Sequence, residues 1–373
     1  MRTRGALLIN AGTNSGFTVT ELELGAPKDG EVLVELVAAG LCHSDYHYDT
    51  GDGVLSELPL LLGHEGAGVV REVGAGVTKV APGDHVITSF MPSCGQCRWC
   101  TAGRGNLCDR GAELLSGKAM DGTHRVHTTD GQPVFVGTYT GTFAEHVVCP
   151  QDSLVRVEKD VPLDKVVLVA CGVPTGWGSA VTLAEVEPGD VVCVIGCGGV
   201  GMNAVQGARY AGAKTVIAID PVAWKREIAI EEFGATHAAA SIEEAQELVT
   251  SLTRGVGADR AIITVGVVDG EMIDPALALI SKGGVLAISS VSAMTQTDAK
   301  LSLFAFVLYE KQIRGGLYGK SAPNLSIPKL VDLYRRGDLK LDQLVTNTYT
   351  LGQINEGYAD MMSGKNLRGV VLY

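Results

Sequence analysis

Val191-Val192-Cys193-Val194-Ile195-Gly196-Cys197-Gly198-Gly199-Val200-Gly201 decides the architecture of this 373-residue chain. Five uninterrupted apolar residues suit a parallel strand covered on both faces. The glycines that follow permit a tight turn and let backbone N–H groups approach a pyrophosphate at the start of a helix, read here over 202–211. A G-x-G-x-x-G run alone is a weak signal, and a glycine-rich strand-to-helix turn with an exposed acid nearby is its bland counterpart. Here a second apolar run, 215–219, ends in Asp220, where a dinucleotide fold needs a carboxylate for the ribose 2′-hydroxyl. An acid there repels a 2′-phosphate, so the pattern favours NAD(H) over NADP(H).

Outward from this unit the alternation continues. Residues 260–266 and 284–289 read as strands, with helical stretches near 222–233, 242–253 and 271–281. Strands alternating with helices imply a doubly wound parallel sheet. Before about residue 160 no long helical period occurs. Segments such as 31–37, with short strands between glycine-punctuated turns, predict a β-rich region. Residues 109–142 have little periodicity and read as a long loop, with His124 and His127 as surface histidines. Long loops in compact domains usually carry function. A final β-like segment, 369–373, is placed to rejoin the first region, which makes the dinucleotide unit an insertion.

Apolar residues make up 46% and charged residues 19%, and the formal net charge is −12. No basic stripe exists for nucleic acid or an anionic membrane. No apolar run reaches the length of a membrane span, and the N-terminal apolar run is too short for a secretory signal. The expected location is the cytoplasm.

The nine cysteines therefore point to metal or catalysis before disulfides. Cys94-x2-Cys97-x2-Cys100-x7-Cys108 fits a closed structural zinc site. The alternative, an iron–sulfur cluster, needs its fourth cysteine sooner and followed by proline. Cys42 and Cys171 stand apart, and with His64 they make a three-ligand zinc site whose fourth position is open to water or an alcohol. Cys149, Cys193 and Cys197 remain, expected as ordinary thiols in or near strands.

Taken together, Gly40-Leu41-Cys42-His43-Ser44-Asp45, Gly63-His64-Glu65-Gly66-Ala67-Gly68, the four-cysteine lobe, Cys171-Gly172-Val173-Pro174-Thr175-Gly176 and the glycine turn resemble the zinc-dependent medium-chain alcohol dehydrogenases. Within that family, segments 220–222, 324–328 and 354–360 are similar to bacterial nicotinoprotein alcohol dehydrogenases, which hold NAD(H) through turnover and reduce a nitrosoaniline acceptor. The resemblance implies an α/β fold: a GroES-like β-rich catalytic domain over 1–174 and 318–373, and a Rossmann cofactor domain over 175–317. It implies a catalytic zinc on Cys42, His64 and Cys171, with Glu65 behind it and Asp45 orienting His64. It further implies a structural zinc on the other four cysteines. Ser44 takes the alcohol proton and His47 passes it out at the surface. Cofactor contacts fall to His43, Thr175, Gly196, Gly198, Gly199, Val200, Gly201, Asp220, Lys225 and Arg368, and Phe90 and Leu317 line the substrate pocket. Two departures stand out: His43 occupies a position that is often Arg, and Pro174 with Trp177 makes the segment after Cys171 bulky. The expected partners are a small alcohol or aldehyde, a second copy in a dimer or tetramer, and an external redox carrier. Rival readings are oxidation of a thiol adduct of formaldehyde and a non-catalytic NAD-binding protein.

Overall fold

The computed structural model describes residues 1–53 and 57–373. The backbone forms two compact units, Met1–Cys171 with Ala322–Tyr373, and Gly172–Ser321.

In the Gly172–Ser321 unit, six strands make one parallel sheet: Val191–Ile195, Thr215–Ile219, His237–Ala239, Ala258–Ile263, Ile280–Ile288 and Gln312–Gly315. Counted along the chain, they lie in the order 3-2-1-4-5-6. The order reverses beside the first strand, where a doubly wound sheet opens a crevice at its strand ends. The apolar run behaves as its composition demands: Val192, Cys193 and Val194 are each 0% exposed. Gly196 has φ +92°, and a Cβ there would sit 2.9 Å from the Val265 nitrogen, so no other residue makes this turn without strain. The helix Gly199–Tyr210 begins at once. The predicted helices lie at Ala223–Glu231, Ile242–Thr253 and Ile273–Leu279. The last is shorter than its pattern suggested, because Ile280 already belongs to the next strand, which begins four residues before the predicted start. The strand predicted over 260–266 is shifted to Ala258–Ile263; just past it Thr264 donates its amide to the Ile195 carbonyl at 2.8 Å and its hydroxyl to the Gly196 carbonyl at 2.7 Å.

The other unit contains a closed barrel and a seven-stranded sheet. Around the barrel run Arg2–Leu8, Phe17–Leu24, Val126–Thr128, Pro133–Val136 and Leu60–Leu61. In the sheet, Glu31–Gly40 pairs with Glu65–Val73, with His146–Pro150 and with the C-terminal strand Arg368–Leu372, all antiparallel. Leu7, Leu8, Leu22, Val34, Phe143 and Tyr358 share one buried apolar core beneath these strands.

The stretch 109–142 is not the structureless loop its composition suggested. It supplies two barrel strands of three and four residues, too short to display a period, joined by a turn in which the Thr128 amide donates to the Gln132 carbonyl at 2.9 Å. Arg125 anchors it, donating to both Glu31 carboxylate oxygens at 2.6 and 2.7 Å and to Asp121 at 2.9 Å. His124 and His127 are half-buried rather than on the surface. The His124 ring meets Phe135 edge-on at 4.8 Å. Among the described residues no single helix is long and apolar enough to cross a membrane.

Candidate metal centre and cofactor cradle

Cys42 caps the helix His43–Thr50 in an extended conformation, held from one side where the Leu41 amide donates to the Gly369 carbonyl at 3.0 Å. His64 stands just before the strand Glu65–Val73, and Cys171 ends the turn Val167–Ala170. One donor atom from each of Cys42, His64, Glu65 and Cys171 falls in a group spanning no more than 4.8 Å, and all four residues are buried. Asp45, on the first turn of the helix, accepts the Gly63 amide at 3.0 Å through one oxygen and sets the other 3.0 Å from His64 Nδ1. That leaves Nε2 for the sulfurs. A carboxylate behind a ligating histidine fixes its tautomer and ring orientation.

The group is short of positive charge. Hydrogen bonding from Cys171 pulls the Cys42 thiol well below its ordinary range against the opposing effect of burial, and the same contact pushes Cys171 well above. Burial works against a charged His64, yet Asp45 and then Cys42 hold its imidazolium well above the ordinary range. Two sulfurs and an imidazole contending for protons in a dry site form a donor set that suits zinc with one position left open. Glu65 is 0% exposed, and Arg368 Nη2 donates to its Oε2. Burial disfavours the guanidinium, but the Glu65 carboxylate outweighs it and keeps Arg368 firmly charged.

Ser44 is exposed beside the group, its Oγ accepting from Cys42 Sγ at 3.6 Å. The His43 and His47 rings lie 5.0 Å apart. Burial, then the charge of His47, lowers the His43 pKa. His47 does not reach the surface as expected: it is 6% exposed, because the helix turns it inward toward Asp52, whose Oδ2 is 3.4 Å from its Nδ1. Thr50 donates to the same Asp52 oxygen at 2.8 Å. Phe90 presents its ring edge-on to His64 at 5.5 Å. Leu317 belongs to the Gly172–Ser321 unit and is 45% exposed.

Cys94, Cys97, Cys100 and Cys108 form a second group of the same span. Its sulfurs accept backbone amides, Cys97 N to Cys94 Sγ at 3.4 Å and Cys100 N to Cys97 Sγ at 3.5 Å, contacts that favour the thiolate form a metal needs. The lobe is tied down by Lys79, which donates to the Ser93 carbonyl at 2.7 Å and to Asp152 at 2.6 Å, and by Arg110 on the other Asp152 oxygen. Cys149, Cys193 and Cys197 lie apart, and burial pushes the first two up to about 12 and the third higher.

In the Gly172–Ser321 unit, a Cβ on Gly198 would meet nothing within 4 Å, whereas one on Gly201 would sit 1.8 Å from the Gly196 carbonyl oxygen. Gly201 therefore closes the turn and Gly198 keeps a space open above it, at the N-terminus of the helix Gly199–Tyr210 that begins Gly199-Val200. Asp220 is 7% exposed and accepts the Cys197 amide at 2.8 Å and the Val222 amide at 2.9 Å. Each carboxylate oxygen keeps a lone pair for a hydroxyl. Lys225 is 9% exposed, with Nζ 5.8 Å from the Trp224 ring. Thr175 is buried in the helix Gly172–Gly178. Arg368, expected at a pyrophosphate, donates to Glu65, a pairing hidden from sequence reasoning by a separation of 303 positions. Asp52 was also missed, although its place just after His47 was the available signal.

The chain matches the family models for the alcohol dehydrogenase GroES-like domain over residues 28–159 and the zinc-binding dehydrogenase over 199–336. It is 48% identical to an NDMA-dependent alcohol dehydrogenase of Amycolatopsis methanolica, covering 100% of this chain and 99% of that one. Identity is also 48% to a putative alcohol dehydrogenase D of Mycobacterium tuberculosis strain H37Rv, with 100% of both chains covered. A solved structure of an alcohol dehydrogenase zinc-binding domain protein from Burkholderia ambifaria superposes with a TM-score of 0.91 at 33% identity, covering 100% of this chain and 99% of the other.

Proposed function

This chain belongs to the zinc-dependent alcohol dehydrogenases, and we propose that it oxidises small alcohols to aldehydes or ketones, and the reverse, with an NAD(H) it retains between turnovers. The observation that carries the reading is the convergence of Cys42, His64 and Cys171 on one point with Ser44 exposed at its edge. When bound, zinc supplies the Lewis acidity that lowers the pKa of an alcohol, and NAD accepts the hydride.

The chain's own residues do the rest. Cys42, His64 and Cys171 hold the catalytic zinc and Asp45 keeps His64 in its ligating tautomer. Cys94, Cys97, Cys100 and Cys108 hold the structural zinc. Ser44 accepts the hydroxyl proton, and the buried His47, with Asp52 beside its Nδ1, is the next group of the relay. Phe90, edge-on to His64, bounds the pocket for the alcohol. Gly198 and the helix N-terminus receive the pyrophosphate, with Thr175, Lys225 and Asp220 as further cofactor contacts. Retention of the nicotinamide is supported by similarity to the NDMA-dependent relative and implies an external redox carrier. The open edge of strand Gln312–Gly315, next to Leu303 at 70%, Phe304 at 74% and Val307 at 71% exposure, supports a homo-oligomer, dimer or tetramer. A cytoplasmic location completes the proposal. Oxidation of a thiol adduct needs a basic pocket on segment 109–142, where Arg110 and Arg125 are already spent on Asp152, Glu31 and Asp121, leaving the exposed Lys118.

The test is the near-ultraviolet spectrum of desalted enzyme before and after adding an alcohol. A nicotinamide band that appears without added cofactor supports the reading; no copurified nicotinamide refutes retention. Replacing Ser44 by Ala is expected to slow turnover by about 100-fold or more with zinc content unchanged, and full activity removes Ser44 from the mechanism.

A further inference from the structure

The helix Ile354–Met362 lies far along the chain from the donor set, yet it reaches Cys42. The Tyr358 hydroxyl donates to the Cys42 carbonyl at 3.3 Å across 316 residues of sequence, and the side chain is 2% exposed. Its ring is clamped between Phe17 at 5.3 Å and Tyr46 at 5.0 Å, both stacked, with Phe143 edge-on at 6.2 Å. Tyr46 belongs to the helix that Cys42 caps. The same C-terminal helix touches the loop again at Gly357, where an added Cβ would lie 2.3 Å from Leu41. A hydroxyl buried in an aromatic stack keeps its cost down only by finding a partner. Here that partner is the backbone of a metal ligand, whose carbonyl otherwise accepts the Asp45 amide at 3.3 Å.

We propose that Tyr358 is a positioning residue for the catalytic zinc: its hydroxyl and its stack fix the Cys42 backbone, and so the place of the sulfur, before the metal binds. Ligands oriented by outer partners lose less freedom on coordination, which shows as tighter metal. The inference rests on the assignment of zinc to Cys42, His64 and Cys171. Tyr358→Phe keeps the stack and deletes the hydroxyl. Tyr46→Phe also keeps the stack and deletes a hydroxyl that is not the one bonded to the Cys42 carbonyl, so it serves as the control.

The experiment follows zinc release from the purified holoenzyme into a chelating dye, resolving two equivalents per chain. For Tyr358→Phe one equivalent is expected to bind about fivefold more weakly, the equivalent of one neutral hydrogen bond, with the second equivalent unchanged. Tyr46→Phe is expected to release both as the parent does. Cobalt substituted at the labile site gives a second measurement, in which Tyr358→Phe is expected to shift the visible bands. Equal release from Tyr358→Phe and parent, or equal weakening of both equivalents, overturns the inference. A parent protein that binds only one zinc, through the four-cysteine lobe, overturns the underlying assignment instead.

Discussion

Replacing Arg368 by Leu probes the charge balance of the metal centre most directly. Glu65 is 0% exposed, Arg368 is 7% exposed, and each is the other's charged partner. Removing one member of a buried pair leaves the other charge uncompensated and costs about 3–5 kcal/mol, whereas replacing both by apolar groups is often close to neutral. At about 2–4 °C per kcal/mol for a folding unit of this size, the melting temperature is expected to fall by roughly 6–20 °C. The double variant Glu65→Leu/Arg368→Leu is expected to recover most of that loss, to within about 1 kcal/mol of the parent. Glu65 belongs to the same donor group as Cys42 and Cys171. Zinc content is therefore measured for all forms, and unfolding is compared at equal occupancy by calorimetry. A loss below about 1 kcal/mol for Arg368→Leu, or a double variant as unstable as the sum of the singles, refutes the view that these two charges compensate each other.

Gly198→Ala places a methyl where no protein atom lies within 4 Å; the melting temperature is expected to stay within about 1 °C of the parent while copurified nicotinamide falls sharply, and unchanged cofactor content moves the pyrophosphate elsewhere. Cys149 and Cys193, pushed up to about 12 by burial, are expected to resist alkylation by iodoacetamide at pH 8 in the native enzyme and to react fully in denaturant, as peptide mass spectrometry will show. Asp121 is held well below the ordinary carboxylate range, first by its hydrogen bond from Arg125. A depressed folded pKa means stabilisation that is present above the unfolded value near pH 4 and is lost as the pH falls below it. The parent should therefore show more acid destabilisation than Asp121→Asn, and identical pH profiles contradict the clamp on segment 121–125.

Local pattern determined much of this protein. An apolar run, a glycine turn and Asp220 announce a doubly wound sheet because strand burial, turn geometry and helix initiation are written in adjacent residues. The four-cysteine lobe is equally legible, since its donors lie within one short segment. Joint spacing also nominates Cys42, His64 and Cys171, since each alone would more often be structural and only together do they make a ligand set.

Tertiary structure alone decided the rest. The strands at 126–128 and 133–136 are too short to carry a period and exist because Phe17–Leu24 and Leu60–Leu61 offer them partners. His47 turns inward because Asp52 waits for it, and Arg368 is drawn to Glu65 because a carboxylate with no exposure must find a cation. Tyr358 meets Cys42 only once the C-terminal helix has docked. The Arg368–Glu65 and Tyr358–Cys42 contacts join residues hundreds of positions apart, where no spacing rule reaches: burial selects them, by requiring each polar atom to find a partner inside the fold.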